Sequence, residues 1–373
     1  MLHNGLFFRR KGIIVKKKLI VGLVSVIMFG CAQQSSDSVS QPNMGQQYKD
    51  GNLPDMFNPV STINSELLLT NSRVFRQQTQ MVTGRSPSMA TKYQDLYRQV
   101  TEWMAAGAYP DRLDRYMLNA EQLSGGDNQG NVLMTGYYSP VLELRHRPDS
   151  VYKYPIYANP QCGNACPTRA EINWGALDGQ GLELGYSASA LDNFMLEVQG
   201  SGFVHYGDND EWLYFGYSGK NNHAYTSIGK VLIDRGEVPK EEMSLAAIET
   251  WASQQDEDTL FELLEQNESF VFFKPTEQLD VIGSAGIPLL ANASVAADRA
   301  HLPMGSVLLI EVPVLDEQGV WTGRHELRLV LVLDTGGAVK GNHLDLYHGK
   351  GDDAGTQAGH YKHFGRVWKI DLI

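Results

Sequence analysis

Three aspartates are the residues of this sequence best suited to do chemistry. Asp298 lies in Ala293–Arg299, Asp334 ends the apolar run that begins at Glu326, and Asp345 sits in His343-Leu-Asp-Leu-Tyr347. Cleaving a glycosidic bond needs a protonated acid at the bridging oxygen. Asp345 suits that role. If 343–347 is extended, alternation puts His343, Asp345 and Tyr347 on one face and Leu344 and Leu346 on the other. A neighbouring carboxylate such as Asp334 would then raise the pKa of Asp345 by like-charge repulsion and keep it protonated near neutral pH. The plainer reading of Asp334 is a turn cap leading into Gly336-Gly337, where short acids are common.

Two other chemistries compete for the same stretch. Leu331–Gly336 ends in Asp-Thr-Gly, the signature of an aspartic protease. That mechanism needs two carboxylates sharing a proton, and the chain has no second Asp-Thr/Ser-Gly. His343, His348, His360 and His363 could hold a metal, with His360-x-x-His363 as the nucleus of a zinc site. No HExxH or comparable set accompanies them, so no metal is expected.

The elements that must position these residues span 373 positions, enough for about two domains. The composition, 42% hydrophobic and 20% charged, is that of a globular chain. Net charge is −12, and it becomes −18 if residues 1–30 are removed, since six basic and no acidic residues leave with them. That balance argues against nucleic acid as a partner. Lys16–Lys18 followed by the uncharged stretch Leu19–Gly30 is too short for a comfortable membrane span and has the form of a signal peptide. The Cys31 that follows resembles the lipidated first residue of a bacterial lipoprotein. Ala32 after it favours the outer membrane, so the expected location is that membrane's periplasmic face, anchored through lipid. Residues 31–52, rich in Ser, Gln, Asn and Gly, are expected to form a flexible tether. Cys162 and Cys166 are the only other cysteines and read as a short loop disulfide.

Helices are expected over Asn64–Gln80 and Thr91–Gly107. In the second, Tyr93, Leu96, Tyr97, Val100, Trp103 and Met104 form one apolar stripe. A β-rich texture begins at Asn131–Pro140 and is expected to run to about Tyr217. It includes Leu191–Val204, where an apolar run yields to Gln199, Gly200, Ser201 and Gly202. Those small residues permit close approach by a ligand, or else mark a bulge or tight turn. Helices return over Ala224–Arg235, Lys240–Gln254 and Asp258–Gln266. Then come a strand at Phe270–Phe273 that Lys274-Pro275 should end, strong strands at Ser306–Leu315 and Glu326–Leu333 joined by a hairpin through 316–325, and a last strand at Gly365–Leu372.

The segments Gly45–Gly51, Gly130–Pro140, Asp192–Gly202, Gly219–Val238, Phe270–Pro275 and Leu333–Tyr347 carry a resemblance that covers nearly the whole chain after the leader. They resemble the membrane-bound lytic murein transglycosylase A family. The resemblance implies an α+β fold, mainly β: a double-psi β-barrel with N-terminal helices, its C-terminal part the three-Asp module, plus an inserted smaller β-rich domain. On this sequence the barrel domain would be discontinuous, 53–140 and 280–373, with the insert at 141–279. The implied activity cleaves the β-1,4 bond between N-acetylmuramic acid and N-acetylglucosamine and leaves a 1,6-anhydro-muramic acid end, with no water and no cofactor. By position Asp345 would be the single acid/base, with Asp334 and Asp298 as supporting acids. Tyr137, Tyr138, Gln199, Gly200, Ser201, Gly202, Gly336 and Gly337 are the residues expected to hold the sugars. The implied partners are peptidoglycan glycan strands and the outer membrane, with room for other cell-wall proteins. The rival reading is a non-catalytic peptidoglycan-binding cell-envelope lipoprotein.

Overall fold

The longest apolar runs of the chain pair with each other, and their alternation splits the core in two. In the computed structural model, which describes residues 47–240 and 242–373, Val307–Leu315 and Trp321–Asp334 form an antiparallel pair with Val307 opposite Leu331. Val307, Leu309, Leu329, Leu331 and Leu333 point to one core, and Leu308, Ile310, Val312, Val330 and Val332 to another. Both faces are buried over 307–313 and 329–333, so these stretches lack the polar alternation of a sheet with one wet face. The expected signal peptide 1–30, Cys31 and the first part of the tether lie outside the described residues.

In chain order the first part holds β1 (Phe57–Val60), α1 (Ser72–Arg85), α2 (Pro87–Ala105), β2 (Leu118–Leu123) and β3 (Val132–Ser139). The middle part holds β4 (Val141–Leu144), β5 (Tyr154–Tyr157), α3 (Arg169–Asn173), β6 (Glu183–Ser187), α4 (Ala190–Gln199), β7 (Gly202–Tyr206) and β8 (Glu211–Lys220). It continues through α5 (Ile228–Asp234), α6 (Leu245–Ala252), α7 (Glu257–Leu264) and β9 (Val271–Thr276). The last part holds β10 (Ser294–Ala296), β11 (Val307–Leu315), β12 (Trp321–Asp334), β13 (His343–Lys350), α8 (Asp352–His360), β14 (Lys362–Gly365) and β15 (Val367–Leu372). The architecture is α+β, as expected.

The first and last parts build one sheet in the order β1-β2-β15-β11-β12-β10-β13-β3-β14. Its end strands β1 and β14 do not pair among the described residues. The sheet nevertheless turns back on itself, because β14 and β15 are separated by Arg366 alone. β14 pairs with β3 while β15 pairs with β11. The bent run 362–372 thus completes a ring of β11, β12, β10, β13 and β3. Val132, Met134, Val295, Leu344 and Leu346 fill the ring with the inward residues of β11 and β12. Helices α1 and α2 cover the outer face. The stripe from Tyr93 to Met104 is buried there as its spacing predicts, and the Tyr97 hydroxyl donates to Gly305 O at 2.7 Å.

The middle part forms its own lobe. Its sheet runs β4-β7-β8-β9, with a separate β5-β6 pair and a cluster of helices α4 to α7. Cys162 and Cys166 are joined by a disulfide. Phe203 of β7 and Tyr214 of β8 pack into the same core as Tyr347 and Leu289, which ties the two lobes together. Among the described residues no helix is long and apolar enough to cross a membrane.

Four sequence expectations are corrected. Leu191–Gln199 is helical, part of α4, not strand. Ser189 caps α4 by accepting from Asp192 N, and Gly200, with φ +79°, closes it in the left-handed conformation that costs glycine nothing. The first helix begins at Ser72, not Asn64, because the chain before it runs along β12. There Leu327 N donates to Leu68 O, and Asn71 bonds the backbone of Asn292 and Leu329. Strand β9 continues through Pro275 because it is an edge strand, where a missing N–H costs no ladder bond. The hairpin turn is only 316–320: Asp316 Oδ1 accepts from Gln318 N and Val320 N, and β12 starts at Trp321.

Candidate functional site

Strand β13 delivers Asp345 to the outer face of the ring. Leu344 and Leu346 are buried inside it, so strand alternation leaves His343, Asp345 and Tyr347 outside. β13 runs parallel to β3, with Asp345 opposite Thr135 and Tyr347 opposite Tyr137. On its other side Asp345 faces Ala296 of β10.

Asp334 reaches the same face through an irregularity. Parity along β12 would turn it into the ring, since Val330 and Val332 point there. Between β10 and β12 the register slips by one residue: Val295 faces Val332, but Ala296 faces Asp334. This bulge re-aims the side chain. Asp345, Ala296 and Asp334 then lie abreast on three strands, with the two acids' backbones roughly 10 Å apart by ordinary strand spacing. The small Ala296 leaves the space between them open to the carboxylates.

The two acids have different surroundings. Asp334 accepts from Ser284 N (2.9 Å), Thr335 N (2.9 Å) and the Tyr137 hydroxyl (3.1 Å). Three donors fix its carboxyl group in place. Among the described residues Asp345 has one hydrogen-bond partner, Thr135 Oγ1 at 2.6 Å from its Oδ1. Burial pushes the Asp345 carboxyl up to about 6, the Thr135 hydrogen bond opposes the rise, and the charge of Asp334 adds to it. Burial also pushes Tyr137 well above the ordinary phenol range, with Asp334 and Asp345 adding to it, so it stays a neutral donor.

Thr135 Oγ1 also lies 2.8 Å from His343 Nε2. Burial lowers the His343 pKa below its ordinary value, so the ring is neutral at pH 7. A hydroxyl between these two groups can serve both protonation states of Asp345. It donates to the carboxylate when Asp345 is ionised. It accepts from the carboxyl proton, and turns its own hydrogen to His343, when Asp345 is protonated.

Asp298 is placed apart from this pair in its bonding. Its carboxylate accepts from Gly341 N and Ala300 N, each at 3.1 Å, and these bonds hold its pKa below the usual carboxylate range. Its backbone stays close, since Ala297 N donates to Asp334 O. Of the expected sugar-holding residues, Tyr137 touches Asp334 and packs tilted against Tyr347, with ring centroids 5.2 Å apart. Tyr138 points the other way, its ring against Gly355 of α8, where any Cβ would come within 2.8 Å. Gln199 Oε1 accepts from Tyr138 N. Gly200 is the cap of α4, and Gly202 is small because a Cβ there would meet Pro140 O at 2.8 Å. Ser201 is half-buried between them. A side chain at Gly336 would press on Val339, whereas Gly337 has open space around it. Among the described residues no three His, Cys, Asp or Glu come together as metal ligands do.

Thr135, Ser284 and Ala296 are site residues that the sequence did not single out. For Thr135 the signal was available: it shares strand parity with Tyr137 in a segment already read as strand. Thr135→Val is expected to raise the Asp345 pKa by about 1 unit, because it removes a donor to the charged form. Titration of Asp345 by carbon-detected NMR checks this, and a fall in its pKa would contradict the arrangement.

Residues 162–274 match the family model described as the MltA specific insert domain, and residues 293–371 match the 3D domain. The chain is 56% identical over 356 residues to membrane-bound lytic murein transglycosylase A of Vibrio cholerae, covering 95% of both chains. It is 45% identical over 354 residues to the protein of the same name in Escherichia coli, again covering 95% of both. The crystal structure of E. coli MltA with bound chitohexaose is similar at a TM-score of 0.85 and 45% identity, covering 88% of this chain and 98% of that one.

Proposed function

Since this chain belongs to the membrane-bound lytic murein transglycosylase A family, a group of lyases acting on peptidoglycan, we propose that Asp345 alone carries both proton transfers of that reaction. The observation that carries this reading is the contrast between the two acids. Asp345 is held near pKa 6 with a single hydrogen bond, while Asp334 is held by three donors. A proton donor and a fixed negative charge are what an oxocarbenium-forming cleavage needs on one face of the sugar.

Asp345 gives its proton to the bridging oxygen between N-acetylmuramic acid and N-acetylglucosamine. The C1–O bond breaks with its electron pair going to that oxygen, and C1 gains oxocarbenium character. Asp334 stabilises the developing positive charge, and Tyr137 orients Asp334. The muramic C6 hydroxyl attacks C1, and the Asp345 carboxylate takes the hydroxyl proton. Atoms balance without water: a 1,6-anhydro end and a free 4-hydroxyl are formed. The attack is intramolecular, so no second carboxylate is needed to activate a nucleophile. The turn of Thr135 toward His343 fits the exchange of the carboxyl between acid and base. Asp298 supports the site indirectly, by bracing the loop through Gly341.

The E. coli relative's structure with bound chitohexaose supports a glycan strand as the occupant of the outer face beside Asp345. The strand would lie between the ring and the inserted lobe, which we place at 141–279 between the two ring segments 53–140 and 280–373. Gln199, Gly200, Ser201, Gly202, Gly336 and Gly337 are proposed to line its path, while the Tyr138 ring packs against α8. The relatives are named membrane-bound, and we propose attachment through a lipid at Cys31 on the periplasmic face of the outer membrane.

Because Asp345 must start protonated, kcat/KM is expected to fall about tenfold per pH unit above roughly pH 6. In Thr135→Val that limb should move to higher pH. Mass spectrometry of muropeptides released from sacculi tests the reaction itself: anhydro ends are lighter than reducing ends by one water. Release of reducing muramic ends would replace this mechanism with hydrolysis.

A further inference from the structure

A cavity of about 630 Å³ opens in the inserted lobe and shares no lining residue with the Asp345 site. That volume accommodates a ligand of a few amino-acid residues. Its walls are rich in rings: Tyr154, Tyr157, Tyr186 and Phe261 line it, and Trp174 stands at its edge four-fifths exposed. Among the described residues this solvent-facing tryptophan, beside a concave aromatic surface, is left largely uncovered.

The charges around the cavity are unbalanced. Two cations line it, Lys153 and Arg169, and both are already matched. Lys153 Nζ lies 2.6 Å from Glu257 Oε2. Arg169 donates to both oxygens of Glu197 and to the carbonyls of Asn267 and Ser269. Four further carboxylates line the cavity without a cation: Asp178, Glu183, Asp258 and Glu265, the last of which accepts from Asn173 Nδ2 at 3.2 Å. Among the described residues Glu183 and Asp258 make no side-chain hydrogen bond or ion pair, and Asp178 only accepts from the Tyr157 hydroxyl at 3.4 Å. Glu183 lies opposite Tyr157 across the β5–β6 pair, so Asp178 and Glu183 both flank that residue. What this pair lacks is a donor with positive charge. The aromatic faces suit the same ligand, since an ammonium group is attracted to ring faces.

We propose that this cavity binds a primary ammonium group carried on a short peptide, namely the unlinked diamino-acid side chain of a peptidoglycan stem. The inference rests on peptidoglycan being the chain's substrate. It assigns the inserted lobe the recognition of stems whose amine has not been used in a cross-link, while the ring face handles the glycan. A cross-linked or acylated amine has lost its charge and would not be held.

The test is calorimetric titration of the full chain with a soluble stem tetrapeptide bearing a free side-chain amine, and with the same peptide acetylated on that amine. The free peptide should bind about tenfold more tightly, the worth of one charge-assisted hydrogen bond. Glu183→Gln, which keeps shape, and Trp174→Ala, which removes no packing, should each weaken the free peptide and leave the acetylated one little changed. Equal binding of the two peptides, or no binding of either, overturns the proposal. Cleavage of peptide-free glycan strands by the wild-type chain is measured alongside. If those strands are cleaved while the peptides fail to discriminate, the cavity assignment falls and the catalytic reading stands. If they are not cleaved, the catalytic reading falls, and the titration still decides what the cavity binds.

Discussion

Asp345→Asn is expected to remove lytic activity by about 10³-fold or more and, at neutral pH, to raise thermal stability. The first effect follows because Asn can neither give nor take the proton. The second follows from the direction of the pKa shift. The folded-state value is raised from 3.8 to about 6, so the unfolded chain ionises first as pH rises. Folding therefore carries an ionisation cost that is absent below about pH 4, grows between pH 4 and 6, and is complete above that. Its ceiling is about 3 kcal/mol, the shift at about 1.4 kcal/mol per unit. Asn removes the cost and still offers an oxygen to the Thr135 hydroxyl. The melting temperatures of the two proteins should coincide near pH 3.5 and separate by a few degrees at pH 7, with Asn higher. A variant less stable than wild type at pH 7 would mean that the surroundings favour the charged form, and the role of proton donor would then have to be given to another group.

Asp345 was legible in the sequence because a five-residue pattern determines its direction. Leu344 and Leu346 must go inward, so Asp345 goes outward, and no distant contact is needed to see it. Asp334 was legible as an acid but not in its orientation. Its direction depends on a register slip against Ala296, a residue nearly 40 positions upstream that pairs with it only in the folded ring. The same limit hid Ser284, whose backbone donor comes from a loop with no distinguishing composition. The mistaken strand at 191–199 was avoidable: Ser189 three residues before Asp192 is a helix-start pattern, and Ala190, Asn193, Phe194 and Glu197 form a helical stripe. The extended course of 64–71 was not avoidable. Its composition favours a helix, and only the bonds of Asn71 to two distant backbone segments decide otherwise.

Asn193 and Glu197 of that stripe lead to the second large expected effect, at the floor of the inserted lobe. Arg169 and Glu197 are both nearly fully buried and joined by two hydrogen bonds, 2.7 Å and 3.3 Å long. Arg169 also lies over the rings of Phe194 and Phe270, at 4.6 Å and 5.0 Å from their centroids. Burial pushes the Glu197 carboxyl up, against the pull of Arg169. Arg169→Met should therefore cost about 3–5 kcal/mol at neutral pH, because it leaves a buried carboxylate with no cation. Two controls separate this cause from lost packing. Adding Glu197→Gln should recover much of the stability, since the amide oxygen can still accept from Val271 N as Glu197 does at 3.2 Å. Lowering the pH should narrow the gap between Arg169→Met and wild type, because Glu197 without its partner enters the folded state protonated. High salt should leave the gap unchanged, as a pair this deeply buried is little screened. Urea denaturation of the three proteins at two pH values checks all of this. A gap that neither the second substitution nor acid reduces would locate the effect in the ring contacts of the guanidinium, and the ion pair would then be a consequence of the lobe's packing and not one of its ties.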